Sequence, residues 1–263
     1  MLNHSPEDIA RKALRLLEEK ADPRRALGAR TYFKEQVTFY GLTSDQVRKI
    51  AKELLEPVKK EWHLEEAIEL CEILLPNRFF EARSVATLIF LKFKKEFGPE
   101  VFPLVKKWLV RNLLDNWAAV DTLCPDCLGP LLEKHPQLVE KIEEWTRHPN
   151  RWVKRASAVS FIKLARRGKH LDAVFRIAER LFAVDDDLIE KATGWLLREA
   201  GKTDMGRLEK FLLGRGPGIP RTTLRYAIER FPPGERKRLL HETRSQTISR
   251  RRTPDRSRRN PSR

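Results

Sequence analysis

Residues 171–200 read LDAVFRIAERLFAVDDDLIEKATGWLLREA. Apolar residues recur there at three- and four-residue intervals on both sides of Val184-Asp185-Asp186, which predicts amphipathic helices over 171–183 and 187–200 joined by a short turn. A helix pair of this kind buries one face internally and leaves another to be covered by the next pair. The pattern extends along almost the whole chain. Ser5-Pro6-Glu7-Asp8 combines an N-cap, a proline at the first helical position and an acidic first turn, opening a helix that runs to about residue 20. Further helices are expected at about 23–34, 44–56, 64–75, 79–97, 100–109, 116–123, 125–134, 137–148, 150–167, 205–213, 220–230 and 234–243. No segment has a clear two-residue period outside short ambiguous runs such as ATLIFLKF. Short helices on short turns, in pairs about 35 to 45 residues long, predict an all-α curved solenoid of HEAT-like helical repeats, one domain over residues 1–243. Residues 244–263, RSQTISRRRTPDRSRRNPSR, hold hardly any apolar side chains and are expected to form a disordered arginine-rich tail.

Composition narrows the function. With 263 residues, 41% apolar and 34% charged, the chain can bury a self-sufficient core and offers no apolar run long enough to span a bilayer. The opening MLNHSPEDIARKAL lacks the features of a secretory signal and the three cysteines are an odd number, so a reducing, cytoplasmic setting is expected. The formal charge is +16; the tail, with eight arginines and one aspartate, carries +7 and the rest of the chain +9. An excess held by the folded body as well as the tail points to a phosphate-rich partner, with nucleic acid first among them.

Within NLLDNWAAVDTLCPDC, residues 112–127, Trp117 and Asp121 stand four apart and share a helix face. Tryptophan on a helix is most often core and an aspartate near a helix end most often caps or is solvated, so spacing alone does not make them a site. Other stretches add context. Arg155 follows Trp152 by three positions in NRWVKRASAVSF, and Trp195 in EKATGWLLREAGK is followed by Arg198 and then Lys202.

Taken together, YFKEQVTFYGLTSDQVRKIAK, NWAAVDTLCPDCLG, HPNRWVKRASAVSF and IEKATGWLLREAGKT resemble the AlkD-like DNA alkylation repair family of helical-repeat DNA glycosylases, over about residues 31–204. The resemblance implies that Trp117 and Trp195 wall the lesion, that Asp121 is the catalytic carboxylate and that Arg155 contacts the DNA backbone from the cleft. It also places Tyr32 near the site and Arg48 on the DNA-facing surface. Asn116 stands where some relatives carry a second aromatic, and the arginine-rich tail lies outside the family pattern. Arg48, Lys154, Arg155, Arg198 and Lys202 would then neutralise phosphates of duplex DNA; each alone reads first as an ordinary solvated cation, and only their grouping on inner helices favours DNA.

The implied chemistry stands on its own physics. N3- or N7-alkylation turns a purine into a cationic leaving group, so its departure leaves positive charge on the deoxyribose, where a fixed carboxylate stabilises it and orients water. Two indole rings add cation–π attraction. No lysine is singled out for Schiff-base chemistry, so simple hydrolysis by a monomer without metal or organic cofactor is expected. Two alternatives remain, a non-catalytic helical-repeat DNA-binding protein and a protein- or RNA-binding scaffold. Cys124-Pro125-Asp126-Cys127, with His63-Leu64-Glu65 upstream, superficially matches the zinc nucleobase deaminases, but Leu123 replaces their proline and no sheet is legible. These cysteines and Cys71 read as small buried thiols. Phe79, Phe80, Phe90, Phe93 and Phe97 read as helical core rather than a stacking platform.

Overall fold

Ser5 caps the first helix in the way its sequence requires, its Oγ accepting the backbone N–H of Asp8 at 3.3 Å while Pro6 fills the first turn. The computed structural model describes residues 4–244. Among them lie helices α1 (Pro6–Glu19), α2 (Pro23–Arg30), α3 (Ser44–Leu55), α4 (Leu64–Leu74), α5 (Phe80–Phe90), α6 (Val101–Val110), α7 (Trp117–Lys134) and α8 (Leu138–Glu144). They are followed by α9 (Arg151–Val159), α10 (Ile162–Ala165), α11 (Leu171–Leu181), α12 (Asp187–Gly201), α13 (Met205–Arg215), α14 (Arg221–Ala227) and α15 (Pro233–Glu242). No strand forms among the described residues; an isolated bridge joins Thr38 to Phe79.

The helices form two layers. Along one, α3, α5, α7, α9, α12 and α14 stack in chain order, each packed on the next. On the other, α1 packs on α4, α8 on α11 and α13 on α15, while α4–α5 and α11–α12 join the layers. This is the all-α, single-domain helical-repeat solenoid expected from the periodicity. Its repeat is written in side-chain pairs: Asp121–Arg155 and Glu133–Arg167 are each 34 residues apart, Glu143–Arg176 33, Asp172–Arg207 35 and Glu179–Arg215 36. The exposed ones, Glu133–Arg167, Asp172–Arg207 and Glu179–Arg215, contribute only about 0–1 kcal/mol each, so they mark the register rather than hold it. The apolar core holds it: Leu54, Leu70, Trp108, Phe161, Ile177, Leu196 and Leu224 are 0–1% exposed.

Helix boundaries depart from the sequence reading where tertiary packing overrides local signals. The helices expected at 116–123 and 125–134 are one, α7, with Pro125 and Pro130 inside it. Each proline forfeits a backbone hydrogen bond and costs about 3 kcal/mol in a helix interior. Burial of Leu123, Cys124, Cys127, Leu128, Leu131 and Leu132 offsets that cost. Conversely, 150–167 divides into α9 and α10 after Val159, where Ser160 turns its Oγ back onto the Ala156 carbonyl at 2.7 Å. Residues 23–34 are helical only to Arg30, and 79–97 only to Phe90, continuing as a 3-10 turn over Leu91–Phe93. The arginine-rich tail, Arg244 apart, lies outside the described residues.

Two other expectations, for the cysteines and for the phenylalanines, meet the structure here. Cys71, Cys124 and Cys127 are buried free thiols, and burial raises all three pKa values. Among the described residues no helix is long and apolar enough to cross a membrane, and no group of three or more His, Cys, Asp or Glu side chains is arranged to hold a metal ion. Phe90, Phe93 and Phe97 are core, whereas Phe79 and Phe80 are half-buried, Phe79 stacked on Tyr40 at 3.8 Å.

Candidate functional site

Asn116 decides where Trp117 and Asp121 stand. It is fully buried, and its Oδ1 accepts the Ala119 N–H at 2.9 Å, so it is the N-cap of α7 and starts the helix at Trp117. Asp121 follows one turn later on the same face. From α9, the next helix in the layer, Arg155 meets it. Asn150 fixes that helix in turn: its Oδ1 caps the Trp152 N–H at 2.8 Å, and its Nδ2 donates to the Leu109 carbonyl at 3.2 Å and to Asn112 Oδ1 at 2.8 Å. Asn112 occupies the left-handed region at φ 56°, which suits asparagine at the corner between α6 and α7.

A cleft of about 380 Å³ opens between α7, α9, α12 and the segment 31–37, and Trp117, Asp121, Arg155, Trp195, Tyr32 and Arg198 all line it. The sequence contains six tryptophans; Trp62, Trp108, Trp145 and Trp152 are core, and the two that remain, half-buried, face this cleft. Trp117 is backed by Phe33, stacked at 5.2 Å between ring centroids with 17° between planes, and Phe33 leans on Phe39 and Phe80 at 5.3 and 6.0 Å. One indole face is thereby braced and the ring held as a rigid wall.

Asp121 sits in that wall, its side chain 15% exposed, bridged by Arg155 with Nε to Oδ1 at 2.8 Å and Nη2 to Oδ2 at 2.7 Å. The third arm of the guanidinium, Nη1, donates to the Leu188 carbonyl of α12. Burial pushes the Asp121 carboxyl above the ordinary aspartate value, with the Arg155 hydrogen bonds and charge pulling the other way. Arg155 itself is 6% exposed and fully engaged. Arg155, for which the resemblance implied contact with the DNA backbone from the cleft, here serves as the counter-ion that holds Asp121 in place and ties α7 to α9 and α12.

The remaining expected residues divide. Tyr32 is 78% exposed at the cleft mouth and also lines a neighbouring cavity of about 770 Å³, which Arg48 lines with Trp117. Arg48 is exposed and pairs with Asp45 at 2.6 Å. Arg198 reaches the cleft but is bonded to Glu229. Lys154 is half-buried on α9, close enough to His148 to lower its pKa along with Lys106, desolvation being the larger cause. Lys202 is not among the cleft's lining and binds Glu199 at 2.7 Å, an acid that Arg166 also binds at 2.7 Å.

Spacing along the sequence could have found part of what was missed. Asp187, Lys191, Trp195 and Arg198 succeed one another at four, four and three residues, one face of α12, and all four line the cleft. Lys191 and Lys34 bind Asp187 Oδ2 at 2.9 and 3.0 Å; their hydrogen bonds hold the Asp187 carboxyl below its ordinary value, and the same contact raises the Lys191 pKa. Lys34 and Glu35 had no such signal. They come from the segment between α2 and α3 and are brought to α12 and α9 across 153 residues of chain in the case of Lys34 and Asp187.

A buried, arginine-bridged carboxylate shares the cleft with two indoles, two tyrosines and several cations, a set that suits a flat cationic group. Comparison with known proteins bears on which one. The family model for DNA alkylation repair enzyme matches residues 13–231. A solved structure called a predicted DNA alkylation repair enzyme from Enterococcus faecalis superposes with a TM-score of 0.71 at 20% identity, covering 81% of this chain and 97% of the other. No curated protein matches the sequence significantly.

Proposed function

This chain belongs to the family of DNA alkylation repair enzymes, and we propose that it is a DNA glycosylase that hydrolyses the N-glycosidic bond of cationic alkylated purines, 3-methyladenine and 7-methylguanine in type, in duplex DNA. The observation that supports this most is the placement of Asp121 in one cleft with Trp117 and Trp195. As the C1′–N bond lengthens, its electron pair moves into the purine and cancels the ring's positive charge, while the sugar becomes cationic. Water adds its oxygen to C1′ and loses a proton. Asp121 would stabilise the sugar cation and orient that water through the lone pair that each oxygen retains beyond its bond to Arg155. A unit-charge pair at about 4 Å is worth about 4 kcal/mol at an effective dielectric of about 20, roughly a thousandfold in rate. Arg155 cancels part of that field, so the share falling to Asp121 is smaller, on the order of a hundredfold.

In return the arginine fixes the carboxylate before substrate arrives, so no reorganisation is needed as charge develops. Lys191, held protonated by Asp187, is poorly suited to attack the abasic sugar, which supports hydrolysis without strand cleavage. Tyr32, exposed at the cleft mouth, and Arg48, exposed beside the neighbouring cavity, would be available to contact the duplex on this reading.

One observation favours the non-catalytic reading. A bidentate Arg155–Asp121 pair linking three helices is also what a purely structural clamp looks like. Measuring free 7-methylguanine released from methylated duplex DNA separates the two. Wild type is expected to release base, with Asp121→Asn, which keeps the side-chain shape but sets an amide donor against one arm of Arg155, at least about a hundredfold slower per folded molecule at unchanged DNA affinity. Equal release by the variant would remove Asp121 from the chemistry, and no release by wild type would leave a DNA-binding protein.

A further inference from the structure

Three carboxylates line the cleft, and their charges are answered unequally. Asp121 is bridged on both oxygens by Arg155, and Asp187 is bound by Lys34 and Lys191. Glu35 is different. It pairs with Arg151, whose Nη1 is 3.6 Å from Glu35 Oε1, but the same guanidinium places Nη2 at 2.6 Å from Asp186 Oδ2 and so commits its close contact elsewhere. The Glu35 side chain is only 15% exposed, and its Oε2 is buried without a hydrogen-bond partner. Among the other cations lining the cleft, Lys34 and Lys191 are engaged by Asp187, Arg155 by Asp121, and Arg198, whose Nε is also buried without a hydrogen-bond partner, by Glu229. A carboxylate oxygen buried without a matched partner is costly, and a cation entering beside it recovers the most.

We infer that Glu35 is a specificity-determining residue: its undercompensated charge makes the cleft prefer a purine carrying a positive charge over a neutral purine of the same shape. This rests on the glycosylase reading and supplies what Asp121 cannot. Asp121 is partly compensated in advance by Arg155 and faces charge that appears on the sugar during reaction, whereas Glu35 acts on charge that the lesion already carries when it binds. The segment 31–37 that carries Glu35 is tied to α12 through Lys34 and Asp187, so the carboxylate is positioned on the folded protein rather than recruited.

Binding separates this from catalysis. Two duplexes are compared, one with a 2′-fluoro-7-methylguanine nucleotide, cationic and slow to hydrolyse, and one with 7-methyl-7-deazaguanine, its neutral counterpart. Wild type is expected to bind the cationic duplex more tightly. Glu35→Gln should reduce that preference on the order of tenfold, almost entirely through weaker binding of the cationic duplex, and Glu35→Asp should restore part of it. Arg151→Gln, which removes the cation facing Glu35 and also frees Asp186, should increase the preference more in the wild-type background than in Glu35→Gln; an equal gain in both would assign it to Asp186 and overturn the inference. A preference that survives Glu35→Gln, or that Arg151→Gln leaves unmoved, overturns the inference. Base release by wild type from 7-methylguanine DNA is measured alongside. Release together with an unaltered preference in Glu35→Gln sinks this inference alone, whereas no release at all sinks the glycosylase reading and this one with it.

Discussion

Asp121 enters the cleft with both oxygens bridged by a single guanidinium, and at the scale of residues this pair sets two expectations. Removing Arg155 leaves a buried carboxylate without its cation. Arg155→Ala should cost about 3–5 kcal/mol, read as a lowered midpoint in chemical denaturation, and Arg155→Lys should recover little because one ammonium cannot span both oxygens. The second expectation concerns pH. Burial raises the Asp121 pKa, so the carboxylate takes up a proton at a higher pH than an ordinary aspartate with its value of about 3.9. If the ionised form is the active one, enzymatic base release, corrected for the spontaneous reaction, is lost as pH falls through that raised value and is flat above it. An acid limb at or below the ordinary aspartate value would assign it to another group. Asn116 teaches a different lesson at this scale: read beside relatives it is a missing aromatic, and in the fold it is the cap that sets where Trp117 begins.

Among elements, the contact between α12 and α14 governs the far wall of the cleft. A Cβ added at Gly194 would lie 2.4 Å from Tyr226 Cβ and 2.6 Å from the Thr223 carbonyl oxygen, and the latter is backbone that cannot swing aside. Gly194→Ala should therefore destabilise the protein by about 1–3 kcal/mol and, because Trp195 is the next residue, lower base release beyond what the loss of folded protein explains. Thermal unfolding and activity per folded molecule test the two parts. A fully stable, fully active variant would mean that these helices are free to separate. The α7 helix makes the complementary point. Its two prolines read as a break, yet the helix continues through them, because buried side chains on both sides of Pro125 contribute more than the lost backbone bonds cost.

For the whole molecule, charge is the property that a duplex would sense. A chain of +16 that neutralises phosphates should bind DNA with an affinity that falls steeply as salt rises. Deleting residues 245–263 removes seven arginines, and it should flatten the plot of log Kd against log salt by up to about 6 while leaving excision at saturating DNA within twofold. Excision abolished at saturation would make the tail part of the chemistry. The ion pairs spaced by one repeat, such as Glu133–Arg167 and Asp172–Arg207, are exposed and carry little stability singly. Their use is to show that successive helix pairs stack with one register from α7 to α13.

The sequence by itself determined the helical periodicity, the stacking of pairs into a solenoid, the excess of positive charge and the helix face shared by Trp117 and Asp121, because each follows from spacing within one element or from composition. Only the tertiary structure decided how the charges are partnered. It turned Arg155 onto Asp121, set Phe33 against Trp117, and carried Lys34 and Glu35 to the cleft beside Asp187 and Arg151. The reason is physical: a side chain's spacing fixes the direction in which it leaves its own helix, but its ionisation and freedom depend on burial and on neighbours that arrive from distant parts of the chain.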